Sequence, residues 1–168
     1  VPTPHHFIEG VLIMELILGA DGQAAPRLAE LKFDAEEVAV LHERLIREVI
    51  KMLCAGVVHG DLSDFNVLLA ADGPVIIDFP QAVDPAQNTN ARKLLVRDVA
   101  NLHALLSRFS PRSPRSPFAE EMWDLLQKDL LTPHTRLTGQ FAAPVVNPNT
   151  PEVLELVREA EADFDERV

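Results

Sequence analysis

The stretch VHGDLSDFNVLLAADGPVIIDF, residues 58–79, constrains this chain more than any other part of it. Three groups capable of chemistry, Asp61, Asn66 and Asp78, sit at the ends of two short apolar runs. The first run is Val67 to Leu69 and the second is the β-branched Val75 to Ile77, with the hairpin signal Asp72-Gly73 between them. A hairpin here brings Asn66 and Asp78 to the same end of a small sheet. An amide oxygen and a carboxylate in that place suit a hard divalent cation such as Mg²⁺, which prefers oxygen ligands. Asp61, five residues before Asn66, is set to face an acceptor and orient an attacking hydroxyl or water. His59 follows Val57 and Val58 and is expected to pack inward and brace the loop by hydrogen bonding. An HGD or a DF alone is a short motif with a high false-positive rate. In this order, with a hairpin between, they point to a site that holds metal on a nucleotide for phosphoryl transfer.

With these residues in view, the sequence resembles the RIO family of atypical protein kinases. HGDLSDFN resembles the family's catalytic loop and IDFPQ its metal-binding segment. VPTP at 1–4, VLIMELI at 11–17 and DGQAAPRL at 21–28 resemble the run from the end of the small lobe through the hinge. RKLLVRDVANL at 92–102 resembles a long central helix, and LTGQF at 137–141 a segment near the end of bacterial members. The resemblance implies an α+β fold, mainly α. Residues 1–18 would be the end of a small lobe and the hinge, and residues 19–168 a kinase-like C-terminal lobe. It implies ATP and Mg²⁺ (or Mn²⁺) as cofactors, with phosphoryl transfer to protein Ser/Thr or ATPase turnover as the activity. Asp61 would be the catalytic aspartate, and Asn66 and Asp78 the metal ligands. Met14 would be the gatekeeper, the backbone of Glu15 and Ile17 would meet the adenine edge, and Leu68 would form the pocket floor. Asp98 would hold the catalytic loop from beneath. Some members are viewed as ATPases that form a phospho-aspartate, which would make Asp78 a nucleophile as well as a ligand. A link to ribosome assembly is implied by the resemblance alone, and the protein substrate is left open.

Departures from ordinary protein kinases fit the same resemblance. Gly60 stands where those enzymes often carry Arg, and Ser63 where they carry Lys. Pro80 replaces the glycine of DFG, fixing φ and removing an N–H. Small-molecule kinases of the aminoglycoside or choline type share the HGD loop and the IDF segment. They usually have His or Asp after HGDL and a second acidic residue after IDF, so Ser63-Asp64-Phe65 and Pro80-Gln81 favour the RIO pattern. A non-catalytic kinase-like scaffold is the third reading. It is favoured by the lack of any Gly-rich phosphate loop among seven glycines and by the position of every lysine after the hinge. The expectation is that these 168 residues are a portion of a longer protein and bind Mg-ATP weakly on their own.

A length of 168 residues and 47% hydrophobic content suit one domain with a core. The net charge of −11 argues against a broad nucleic-acid-binding surface. No apolar run approaches a membrane span, and no signal pattern opens the chain. The single cysteine, Cys54, excludes an internal disulfide and reads as a buried small hydrophobe in a cytoplasmic setting.

Residues 6–18 read as a hairpin turning near Glu9-Gly10. Asp34 and Glu37 form an Asp variant of the capping box on a helix running to about Ala55, with Val38, Leu41, Leu45 and Val49 inward. Further helices are expected over about 91–109, with Leu95, Val99, Leu102 and Leu106 inward, and over 117–131 and 151–162. Trp123 is expected in the core. SPRSPRSP at 110–117 reads as a surface connector, and the acidic residues 151–168 as a solvated helix and tail. His5 and His6 point to opposite faces of a strand. His42, His103 and His134 lack acidic or cysteine partners at metal-ligand spacing.

Overall fold

The computed structural model describes residues 1–111 and 116–141. These described residues form two separate two-stranded antiparallel sheets and three α-helices. Strands β1 (Pro4–Ile8) and β2 (Val11–Met14) form the first hairpin, turning at Glu9-Gly10 with both residues at positive φ. The chain then runs through a short loop in which Leu18 bridges Ala24, and a 3-10 turn at Leu28–Glu30. Helix α1 (Ala35–Cys54) opens with the expected capping box. The Asp34 carboxylate accepts the Glu36 and Glu37 N–H groups at 2.9 and 2.8 Å, and the Glu37 carboxylate accepts the Asp34 N–H at 3.0 Å. Strands β3 (Val67–Ala70) and β4 (Gly73–Ile76) follow, then α2 (Ala91–Phe109) and α3 (Phe118–Gln127).

The core lies where α1 and α2 pack against each other, with α3 closing one end and β4 leaning on α1. Val38, Leu41, Leu45, Val49 and Leu53 of α1 are buried, as are Leu95, Val99, Leu102 and Leu106 of α2. These are the inward stripes that the 3.6-residue period marks in the sequence. Val58, Leu62 and Val67 extend the core under the loop between α1 and β3. Trp123 and Cys54 are half-buried against this core rather than enclosed in it.

The first hairpin spans Pro4–Met14 rather than 6–18, with its turn at Glu9-Gly10 as expected, and two further boundaries differ from the sequence reading. The β3–β4 turn is Ala71-Asp72, because Ala70 pairs with Gly73 and Leu69 with Pro74. Gly73 is thus the first residue of β4, at φ +137, a value open to glycine alone. Helix α3 stops at Gln127, not Leu131. Asp129 adopts φ +54, its N–H bonds the Leu126 carbonyl, and the Leu130 N–H bonds the Leu125 carbonyl. That is a Schellman ending with aspartate in the position glycine usually takes. The expected helix at 151–162, the acidic tail and the middle of SPRSPRSP lie outside the described residues. Among the described residues no helix is long and apolar enough to cross a membrane.

Candidate active site

The loop from Val58 to Leu62 is held on every side by bonds that its sequence makes possible. Val58 and Val83 exchange two backbone bonds of 2.9 Å, so the chain beyond Asp78 returns alongside the loop. His59, 1% exposed, meets the Ile77 carbonyl through Nε2 at 3.0 Å. A carbonyl only accepts, so Nε2 carries the proton and Nδ1 is free to accept the Asp61 N–H at 3.3 Å. The His59 ring also packs on Phe79, with centroids 4.8 Å apart. The inward, bracing histidine expected from the sequence is what the fold contains.

Helix α2 supplies the floor. Asp98, 1% exposed, accepts the Gly60 N–H at 2.8 Å and the Leu62 N–H at 3.0 Å. Burial raises its pKa above the ordinary carboxylate range, with the two loop N–H groups pulling the other way. Arg97 donates to the Gly60 carbonyl, Asn101 donates to the Leu62 carbonyl at 2.9 Å, and Arg108 pairs with Asp64. Of these four, sequence reasoning singled out Asp98 alone. The missed signal was polar residues at helical spacing bordering the apolar stripe Leu95–Val99–Leu102–Leu106.

Asn66 ends a 3-10 turn, Asp64–Asn66, and leads into β3. Its amide NH₂ donates to the Asp61 carbonyl at 2.9 Å and more weakly to Asp61 Oδ2 at 3.4 Å. The amide oxygen therefore remains as a lone-pair donor. The Ile77 N–H bonds the Asn66 carbonyl at 3.0 Å, one step beyond the Val67–Ile76 pair. Asp78 consequently leaves the sheet beside Asn66. Its φ is +69, an uncommon conformation that aspartate tolerates better than most residues. Pro80 then takes the second position of a turn closed by the Ala82 N–H on the Phe79 carbonyl at 2.9 Å.

Asp61 and Asp78 are both exposed and Asn66 is half-buried. Among the described residues, no group donates to the Asp78 carboxylate. An amide oxygen and an unengaged carboxylate fit Mg²⁺, which takes one or two protein ligands and fills the rest of its shell with phosphate oxygens and water. No three His, Cys, Asp or Glu side chains converge among the described residues, so the donor set is not that of an all-protein metal cage.

The residues assigned to an adenine pocket are more scattered. Glu15 and Ile17 line a cavity of about 270 Å³ with Leu18, Ala70 and Val75, but Met14 and Leu68 do not border it. The Glu15 carboxylate accepts the Thr3 N–H at 3.0 Å, which lowers its pKa. Leu68 bridges Arg27, just before the 3-10 turn at Leu28–Glu30. Met14 is 46% exposed at the end of β2.

Comparison with known proteins gives this arrangement its class. Residues 1–117 match the family model for the RIO domain. The chain belongs to the RIO family. It is 39% identical over 104 residues to RIO-type serine/threonine-protein kinase Rio2 of Methanocaldococcus jannaschii, which covers 61% of this chain and 37% of that protein. Over 97 residues it is 39% identical to Rio1 of the same organism, covering 56% of this chain and 31% of that protein. Human serine/threonine-protein kinase RIO1 is 33% identical over 110 residues, 65% of this chain and 19% of that protein. In the two archaeal cases, the chain spans about a third of the relative's length.

Proposed function

We propose that the full protein carries out RIO-type phosphoryl transfer from ATP, to Ser/Thr of a protein or to water. The observation that carries this reading is the sharing of groups at one sheet end. Asn66 bonds Asp61 with its amide nitrogen, and the register of β3 and β4 sets Asp78 beside it. On this reading Asp61 is the catalytic residue that orients the attacking oxygen. Asn66 and Asp78 hold Mg²⁺ or Mn²⁺, which when bound neutralises charge on the phosphates. Met14, Glu15, Ile17 and Leu68 form the adenine side, with residues 1–18 as the end of a small lobe and hinge and 19–168 as the larger lobe. A cytoplasmic location, with which the single cysteine is consistent, and a role in ribosome assembly, which rests on family membership alone, belong to the same proposal.

The distribution of effort favours phosphoryl transfer, because little covalent chemistry is asked of the protein. Positioning dominates, and the loop is positioned by Asp98, Arg97, Asn101 and His59. The test uses the full-length protein with Mg-ATP. Asp61→Asn is expected to lower turnover by about 100-fold or more while nucleotide binding stays within about threefold. Asp78→Asn is expected to abolish metal-dependent turnover. Wild-type turnover in Asp61→Asn would remove that residue from its assigned role.

A further inference from the structure

Phe33, Val40, Leu69 and Pro74 wall a groove of about 450 Å³ between the first turns of α1 and the β3–β4 hairpin. The groove is open to solvent rather than enclosed, and Asp61, Asn66 and Asp78 do not line it. Val40 is 55% exposed and lies off the stripe that α1 buries. A β-branched residue there serves neither the core nor helix propensity. The opposite wall is continuous, because Leu69 and Pro74 are cross-strand partners.

Charge at the rim selects the occupant. Asp34, Glu36 and Glu37 face a single guanidinium, Arg44, which is already engaged with the Asp72 carbonyl at 3.1 Å. The helix N-terminus adds only about half a positive charge, and Asp34 and Glu37 already cap it. Glu36 makes no side-chain bond among the described residues. The lip is therefore net negative. An open groove does not give a small molecule the roughly 70–90% burial such ligands usually reach, whereas an extended peptide can lay alternate side chains into it.

We propose that this groove docks a linear peptide of a partner protein, one presenting two apolar side chains next to Lys or Arg. The proposal is independent of the phosphoryl-transfer reading. It is tested by selecting a displayed library of random peptides, about a dozen residues long, on the full protein. The winners are then titrated by fluorescence anisotropy against wild type, Val40→Arg and Glu36→Lys. Both substituted residues are exposed, so both variants should stay folded, with Val40→Arg matching the wild-type thermal midpoint and Glu36→Lys a few degrees below it because it puts a cation in the first turn of α1. The expected winners carry net positive charge and at least two apolar residues. They should bind Val40→Arg at least about tenfold more weakly. Glu36→Lys should weaken them about threefold at low salt, with the difference shrinking as salt rises. No enriched peptides, acidic winners, or winners that bind Val40→Arg as well as wild type would overturn the proposal. So would a concentration-dependent dimer abolished by Val40→Arg, which would assign the groove to a second copy of the chain.

Discussion

Gly60 shows how one residue can be fixed by its surroundings. Its φ is +80, and a Cβ placed there would lie 2.6 Å from the backbone oxygen of Gln81. The oxygen cannot easily retreat, because Val58 and Val83 are bonded two residues away on each strand of the bridge. The Gly60 N–H and carbonyl are also committed, to Asp98 and Arg97. Gly56 has nearly the same φ, +75, but a Cβ there would meet nothing within 4 Å. The pair separates conformational cost from crowding. Gly56→Ala should cost about 1–2 kcal/mol, the penalty for a left-handed L-residue. Gly60→Ala should cost at least about 2 kcal/mol more, since the clash must be relieved by moving backbone. Urea unfolding of both variants measures the difference. Equal losses would mean that the loop yields at Gln81. The absence of a side chain at Gly60, where ordinary protein kinases often carry Arg, is then a packing requirement as well as a lost contact.

At the scale of elements, the helices were legible wherever a local code wrote them. The Asp34–Glu37 box and the apolar period of α1 and α2 set both helices to within a residue or two of their observed ends. The end of α3 was not legible, because Asp129 takes a left-handed turn that glycine usually marks. The hairpin turn was misplaced by one residue because Asp72-Gly73 is a good turn pair on its own. Cross-strand register, with Leu69 against Pro74, put glycine into the strand instead. The same division holds at the site. Asp61, Asn66 and Asp78 stand out by motif, whereas Arg97 and Asn101 become visible only once α2 lies under the loop. His42 and His103 are similar. Each looked solitary in sequence, yet their rings meet at 6.1 Å where α1 faces α2, with Phe118 of α3 beside His42.

That junction carries a pH dependence. His42 is 7% exposed, and its Nε2 is buried without a hydrogen-bond partner among the described residues. Burial, and secondarily the neighbouring His103, push its pKa down from 6.5 to about 4. The folded form therefore resists a proton that the unfolded chain accepts. Stability from this group is complete above about pH 6.5, falls as pH drops towards 4, and falls no further below that. The full loss is on the order of 3–4 kcal/mol, since a tenfold change in proton affinity corresponds to about 1.4 kcal/mol. Comparing urea midpoints of wild type and His42→Leu at about pH 7.5 and about pH 4.5 isolates it from carboxylate titration. Wild type should lose more stability than the variant between those values. Parallel losses would show that His42 is hydrated or bonded in solution.

Across the whole molecule, stability should be divided unevenly between the helical core and the first hairpin. α1 and α2 bury long apolar stripes against each other, while every residue of β1 and β2 is exposed. Phe7, Ile8 and Val11 are 72%, 58% and 61% exposed, and among the described residues neither strand packs on another helix or strand beyond glancing contact. A lone two-stranded hairpin is marginal in water. Exposed apolar surface of this extent, spread over both faces of the hairpin, is of the kind that other protein surface normally covers. In the 168-residue chain, amides of residues 5–14 should exchange at least about 100-fold faster than those of Leu45 to Ile50. Hydrogen exchange followed by mass spectrometry reads both segments in one experiment. In a longer chain whose further strands pair with and cover the hairpin, its amides should slow towards the helix values, and α1 should change little. Equal protection of hairpin and α1 in the 168-residue chain would instead mean that β1 and β2 hold themselves, and that their exposed apolar residues need no cover.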